Sequence, residues 1–125
     1  MNHYDPLQAP DAGQWLALDE PERIILVEKY HKKAKIVVPN RIVHASMHAL
    51  VENQLAEGLP VVQEALSRLM GEGLDRHEAL HAIASVVAGQ IWHALRDPQA
   101  GGDMGEQYYQ TLRTFTAADW RKQAQ

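Results

Sequence analysis

The sequence predicts an all-α fold: a compact bundle of four main helices with an irregular N-terminal arm and a C-terminal helical arm. Three observations predict it. Apolar residues recur at the helical spacing of three and four positions, strand-like character is confined to the connector Ile36–Val38, and the connections between periodic segments are short. A chain of 125 residues buries one core but not two, so residues 1–125 are predicted to form a single domain.

The N-terminal arm is predicted to span residues 1–18, which Pro, Asp and Gly interrupt repeatedly. The core bundle, residues 19–96, then starts with a helix at Glu20–Lys33, because Asp19 is a favourable N-cap and Glu22 stands at the capping-box position. The arm is predicted to dock on this bundle through three apolar residues, Trp15, Leu16 and Leu18.

Three further helices complete the predicted bundle. The second, at about Arg41–Ala56, follows the N-cap Asn40, and the third is predicted at about Pro60–Met70. The fourth runs from its N-cap Asp75 to about Arg96, where an Asp-Pro pair ends it.

Residues 97–125 are predicted to be a loop, Pro98–Gly105, followed by the C-terminal arm. A second helix start within this arm leads to Trp120. Packing within the chain is the simpler role of the large residues in the arm. The alternative is that they cover a neighbouring subunit, which predicts a homo-oligomer. These residues recur at helical spacing and are Tyr108, Tyr109, Leu112 and Phe115.

Composition excludes several classes of protein. The absence of cysteine excludes disulfides, Cys-ligated zinc, iron–sulfur clusters and thiol catalysis. Twelve Lys and Arg against sixteen Asp and Glu give a net charge of −4, which argues against a nucleic-acid partner. The longest stretch without charged residues, Ala79–Leu95, is too short and too polar to span a bilayer, and no signal-peptide pattern opens the chain. We therefore expect a cytoplasmic protein without membrane contact.

Histidine is the unusual count, with seven in the chain. The predicted second helix carries His44, His48 and Glu52 at i, i+4 and i+8, so the three side chains form one stripe. His44 lies within the apolar face of the helix, and the stripe reaches the edge of that face toward Glu52. The apolar face is predicted to consist of Val43, Met47, Leu50, Val51 and Leu55.

A second pair, His77 and His81, lies within the apolar arc of the fourth helix, while Glu78 lies off it. Both pairs face inward on helices separated by one intervening helix, so the sequence predicts that they meet. The apolar arc of the fourth helix is predicted to contain Leu80, Ile83, Ala84, Val87, Ile91 and Trp92.

A divalent-metal site made of His44, His48, His77 and His81 is the leading hypothesis. Four imidazoles complete a tetrahedral zinc shell, and iron and nickel also bind imidazole. Glu52 is a further ligand or a hydrogen-bond acceptor behind the ligands. Adding Glu52 or Glu78 to the histidines suggests instead a dinuclear carboxylate–histidine site of the kind found inside helical bundles. A closed shell makes the metal structural, whereas a position open to water permits hydrolytic or redox chemistry. The alternative is a non-enzymatic interaction module whose histidines form a hydrogen-bonded polar core.

The segment His77-Glu78-x-x-His81 also matches the zinc-protease pattern, in which Glu78 would act as the base that activates water. Peptidase activity is the weaker interpretation, because the motif begins at the second residue of its helix and no third ligand of a known class follows. Glu78 also fits a capping box with Asp75.

Two further features are ambiguous. His31 lies on the apolar face of the first helix, where it is either a core residue or an additional ligand. A basic cluster is either a solvated face or, at most, a site for a small anion or phosphate. It consists of Lys29, Lys32, Lys33, Lys35 and Arg41.

Four segments resemble a family of small bacterial proteins, mainly proteobacterial, that is catalogued as a domain of unknown function. The resemblance covers roughly residues 15–96, and Leu112–Trp120 extends it. It implies a compact helical domain and supplies no established activity. The four segments are Leu18-Asp19-Glu20-Pro21-Glu22-Arg23, Pro39-Asn40-Arg41-Ile42-Val43-His44, Val51-Glu52-Asn53-Gln54-Leu55-Ala56 and the run from Gly73 to Ile83.

Overall fold

Seven helices and no strand form the described part of the chain, residues 1–97 and 104–123 of a computed structural model, which confirms the all-α prediction. None of these helices is long and apolar enough to cross a membrane. The helices are α1 (Ala12–Ala17), α2 (Glu20–Lys33), α3 (Arg41–Ala56), α4 (Pro60–Gly71), α5 (Arg76–Arg96), α6 (Met104–Thr114) and α7 (Ala117–Gln123).

The chain divides into an N-terminal unit, residues 1–59, and a C-terminal unit, residues 60–125. In the N-terminal unit α3 packs against both α1 and α2. In the C-terminal unit α5 packs against α4, α6 and α7. The prediction of a single domain stays a prediction. The core of the N-terminal unit contains Tyr4, Trp15, Leu26, Val27, Ala45 and Ala49, and the side chains buried in the C-terminal unit include Val62, Leu69, Leu80, Ile83 and Leu112.

Local capping signals explain why the helices start where the sequence predicts. The Asp19 side chain accepts from the Glu22 N–H and the Glu22 side chain accepts from the Asp19 N–H, which makes the predicted capping box. Asn40 and Asp75 cap α3 and α5 through the amides of Val43 and Glu78.

The predicted irregular arm contains the short helix α1. A six-residue helix is unstable alone, and tertiary contacts hold this one in place. The Arg23 guanidinium donates to the carbonyls of Trp15 (3.1 Å) and Leu16 (3.1 Å), the last turn of α1. Trp15 is fully buried and its indole donates to Asn53, as docking requires. Leu18 is half-buried, whereas Leu16 is exposed.

The buried face of α3 differs from the predicted apolar arc. Burial centres on small and polar residues, while Val43 is 56% exposed. Alanine lets neighbouring helices approach closely, and the polar side chains on this face form hydrogen bonds. This face of α3 is therefore buried in preference to the more apolar one. The buried residues of α3 are Ala45, His48, Ala49, Val51 and Glu52.

The second half of α5 departs from its predicted apolar arc as well. Ile91 and Trp92 are 37% and 62% exposed, and the Arg96 guanidinium stacks over the Trp92 ring. The predicted loop following this helix lies outside the described residues over positions 98–103, and α6 begins at Met104, before the predicted end of the loop. Of the large residues in the C-terminal arm, Tyr108, Leu112 and Phe115 are buried.

Candidate metal centre

A short connection between α2 and α3 brings two histidines together. His31 lies in the last turn of α2 and His44 in the first turn of α3. Ala45 and Ala49 are buried on α3, so little side-chain volume separates this helix from its neighbours. One ring nitrogen from each of His31, His44 and His48 lies within 4.8 Å of the others.

The protonation of His31 is fixed by a backbone carbonyl. Its Nδ1 lies 2.9 Å from the carbonyl oxygen of Val27, which only accepts, so Nδ1 carries the proton. In neutral His31, Nε2 therefore presents a lone pair. The Nε2 of His44 lies 3.1 Å from it. This distance suits a hydrogen bond donated by His44, and it also suits two nitrogens that share a cation.

The protonation of His48 is fixed by the hydroxyl of Tyr4. This hydroxyl donates its one proton to the Glu52 carboxylate, so its oxygen accepts from the Nε2–H of His48 at 2.8 Å. Nδ1 of neutral His48 then carries the lone pair. A chain of hydrogen bonds thus runs from a buried carboxylate through a phenol to an imidazole, in the role that a carboxylate behind a metal-binding histidine usually plays.

The surroundings of His44 favour its neutral imidazole. Burial, and secondarily the neighbouring His31, lower the pKa of His44 from its ordinary value. Glu52 and His48 are each only 1% exposed. A buried carboxylate is costly unless nearby donors or positive charge compensate it, and Tyr4 supplies one such donor.

The structure thus brings His44 and His48 together with His31. From the sequence, His31 was either a core residue or an additional ligand. Glu52 accepts a hydrogen bond from Tyr4, and its predicted role as a ligand or as an acceptor behind the ligands stays a prediction. Sequence reasoning missed Tyr4 entirely. Tyr4 lies in a stretch without a periodic pattern, and its partners are 44 and 48 positions away, so no local signal in the sequence predicts these contacts.

The second histidine pair belongs to the C-terminal unit. His77 and His81 are half-buried on α5, and their ring centroids are 4.2 Å apart, as the i, i+4 spacing predicts. The motif begins at the second residue of α5. Glu78, the candidate base, is exposed, and its carboxylate accepts from the Trp120 indole at 2.7 Å.

Comparison with known proteins agrees with the resemblance read from the sequence. No curated protein and no solved structure is significantly similar to the chain. One family profile matches residues 16–114, a segment that includes His31, His44 and Glu52 and begins after Tyr4. The chain therefore belongs to the family described as Domain of unknown function (DUF1841).

Proposed function

We propose that the N-terminal unit binds a divalent metal ion, zinc in preference to iron or nickel, through His31, His44 and His48. The separation of 3.1 Å between the Nε2 atoms of His31 and His44 carries this proposal. Two nitrogens at 2.0–2.1 Å from a tetrahedral ion lie about 3.3 Å apart, so a small rotation of either ring accommodates the ion.

The hydrogen bonds behind the ligands support the proposal independently. Metal-binding histidines almost always donate their other ring N–H to an acceptor, which fixes the ring and the position of its lone pair. His31 donates to the Val27 carbonyl and His48 donates to the Tyr4 oxygen. A divalent ion would also offset the charge of the buried Glu52 carboxylate.

His77 and His81 on α5 are candidates for further ligands because of their i, i+4 spacing alone. If His77 or His81 supplies a further ligand, the shell is closed and the metal is structural. If a position stays open, the ion lowers the pKa of a bound water, which is the chemistry of hydrolysis. A role for Glu78 as the base in such a reaction stays a prediction.

The alternative function is a non-enzymatic interaction module, a homo-oligomer formed through the C-terminal aromatic arm. One observation favours it. Tyr4 bonds to both His48 and Glu52, and His31 bonds to Val27, so protein groups partner one another in the cluster, which also qualifies as a hydrogen-bonded polar core.

Elemental analysis of protein purified without an affinity tag separates the two functions. We expect about one zinc per chain. Cobalt(II) added to chelator-treated protein should produce the visible absorption of a tetrahedral, nitrogen-ligated ion. His44→Ala should abolish that spectrum, and because His44 is only half-buried this variant should still fold. His48→Gln keeps the volume at the most buried ligand and serves as a second variant.

His93→Ala is the matched control, because His93 is exposed on α5 and belongs to neither histidine group. It should bind cobalt as the unaltered chain does. His77→Ala and His81→Ala should weaken binding only if the α5 pair contributes ligands. Absence of zinc in the purified protein, together with a cobalt spectrum unaffected by His44→Ala, would leave the polar-core function.

A further inference from the structure

A pocket of about 450 Å³ opens beside the histidine cluster in the N-terminal unit. It is formed by α2 from Ile25 onward, the connector to α3 and the start of α3. His31 belongs both to its wall and to the histidine cluster. An apolar part of the wall is provided by Ile25, Ile36, Val37 and Val38.

The charge of this wall is opposite to that of the whole chain. Lys29, Lys32, Lys35 and Arg41 line the pocket, against the single acidic residue Glu28. Four positive charges against one negative charge leave a formal charge of +3 here, whereas the whole chain carries −4. A concave wall with such a concentration of one sign attracts a ligand of the opposite sign.

The backbone at Lys35 adds an independent observation. Three helix ends close with the same hydrogen-bond pattern, in which the residue after the turn donates to a carbonyl five positions earlier. At two of them the left-handed position is glycine, Gly58 (φ 78°) and Gly73 (φ 108°). At the end of α2 it is Lys35, with φ 60°.

A side chain in this left-handed conformation is disfavoured, and the same chain uses glycine for the same turn elsewhere. Lys35 therefore makes this turn less stable than glycine would, at a position where its side chain lines the pocket. Backbone strain of this kind persists mainly where the side chain serves a function.

We infer that this pocket binds a small organic phosphate monoester. The cationic side chains would hold the dianionic phosphate, and the four aliphatic residues would contact an apolar substituent. The inference deepens the proposed function and rests on it only in placing the ligand beside a metal ion, since His31 belongs to both sites. Binding to the pocket itself requires no metal.

Calorimetric titration with phenyl phosphate tests the inference, using the full chain both after chelator treatment and after zinc loading. Lys35→Gly should weaken binding about five- to tenfold, the effect of losing one cation near the phosphate. The same variant should melt at a higher temperature than the unaltered chain, because glycine relieves the strained turn. A general loss of folding cannot produce this combination of weaker binding and greater stability.

Lys33→Ala is the matched control. It removes the same charge from the end of α2, at a position outside the pocket wall, and should change the affinity less than about twofold. Inorganic phosphate should bind more weakly than phenyl phosphate because it lacks an apolar substituent. Equal affinities for the two probes would overturn the assignment of an ester.

Two results would overturn the pocket as a whole: no binding by the unaltered chain, or equal binding by the chain and Lys35→Gly. If chelator-treated protein binds phenyl phosphate in a Lys35-dependent way and zinc loading changes nothing, the pocket stands and its link to a metal fails. Tighter binding after zinc loading would support the link.

Discussion

A single hydroxyl group, that of Tyr4, joins two fully buried polar side chains of α3. It donates to Glu52 and accepts from His48, so it satisfies both at once and fixes the imidazole tautomer. If it is removed, a carboxylate and a ring N–H lose their common partner inside the core. Such losses cost more than the bond itself contributes, because the groups left behind stay desolvated.

We expect Tyr4→Phe to lower the free energy of unfolding by about 1–3 kcal/mol, measured by urea denaturation. The ring still packs against Trp15, so the loss reports on the hydroxyl. If His48 binds metal, the variant should also weaken zinc affinity about 10- to 100-fold in a chelator competition, as changes behind metal ligands usually do.

The control is Tyr109→Phe, the same chemical change at a half-buried tyrosine of α6. It should leave zinc affinity unchanged. A Tyr4→Phe variant as stable as the unaltered chain would contradict the hydrogen-bond chain from Glu52 to His48.

At the scale of the elements, helix ends position the candidate site. Asn40 starts α3 four residues before His44, and α2 ends at the strained turn of Lys35 four residues after His31. Because both ends are fixed, the short connector between them holds the two imidazoles at contact distance. Helix capping thus helps to place the candidate ligands of this unit and also stabilises its helices.

A second reciprocal cap, at the start of α7, predicts a dependence on pH. The Asp119 carboxylate accepts from the Thr116 N–H, and the Thr116 hydroxyl accepts from the Asp119 N–H. The bond from the Thr116 backbone, followed by the contribution of its side chain, lowers the pKa of Asp119 from its ordinary value of 3.8. A lowered pKa stabilises the folded state above the ordinary value, and this contribution is lost as the pH falls through the lowered pKa.

We therefore expect the start of α7 to fray only below about pH 4. The amide shift of Thr116, followed by NMR during an acid titration, should change with a midpoint below 3.8. Asp119→Asn lacks this carboxylate, so the Thr116 amide of the variant should not show a transition with that midpoint, although the Glu72 carboxylate still accepts from the Ala117 N–H. A midpoint at or above the ordinary value in the unaltered chain would contradict the cap.

At the scale of the whole molecule, metal binding should be visible as stability. A ligand that binds only the folded state stabilises it in proportion to the logarithm of its concentration over its Kd. With free zinc at about 100 times the Kd, this amounts to about 2.7 kcal/mol. For a chain of this size, chelator should then lower the melting temperature by about 10 °C.

The same melt on His44→Ala should show no chelator effect, because that variant lacks a ligand. An unchanged melting temperature in the unaltered chain would contradict the metal site and favour the polar core. The homo-oligomer formed through the aromatic arm stays a prediction.

Local chemistry explains what the sequence predicted well. The starts of α2, α3 and α5 follow from Asp19, Asn40 and Asp75, because a cap bonds amides only three residues away. The proximity of His77 to His81 follows in the same way from helical spacing. The all-α fold needed no more than such local signals and helical periodicity.

Burial was predicted less well because it depends on what each helix meets. The apolar rule favoured the Val43 side of α3, yet that residue is exposed and the Ala and His side is buried. Trp92 was expected to be buried on α5 and is largely exposed. The pattern of apolar residues along one helix carries no information about the helices that pack against it. It also underestimates the burial of small residues such as alanine, which permit close packing.

The sequence alone thus determined the four main helices, the caps of three of them and the presence of paired histidines on helical stripes. Only the tertiary structure decided that His31 joins His44 and His48, that Tyr4 links His48 to Glu52, and which ring nitrogen carries a lone pair. The physical reason is the distance along the sequence between interacting residues. Helix caps and helical stripes join residues within about one or two turns of the chain. A buried polar group is instead hydrogen-bonded to a residue of whichever distant segment packs against it.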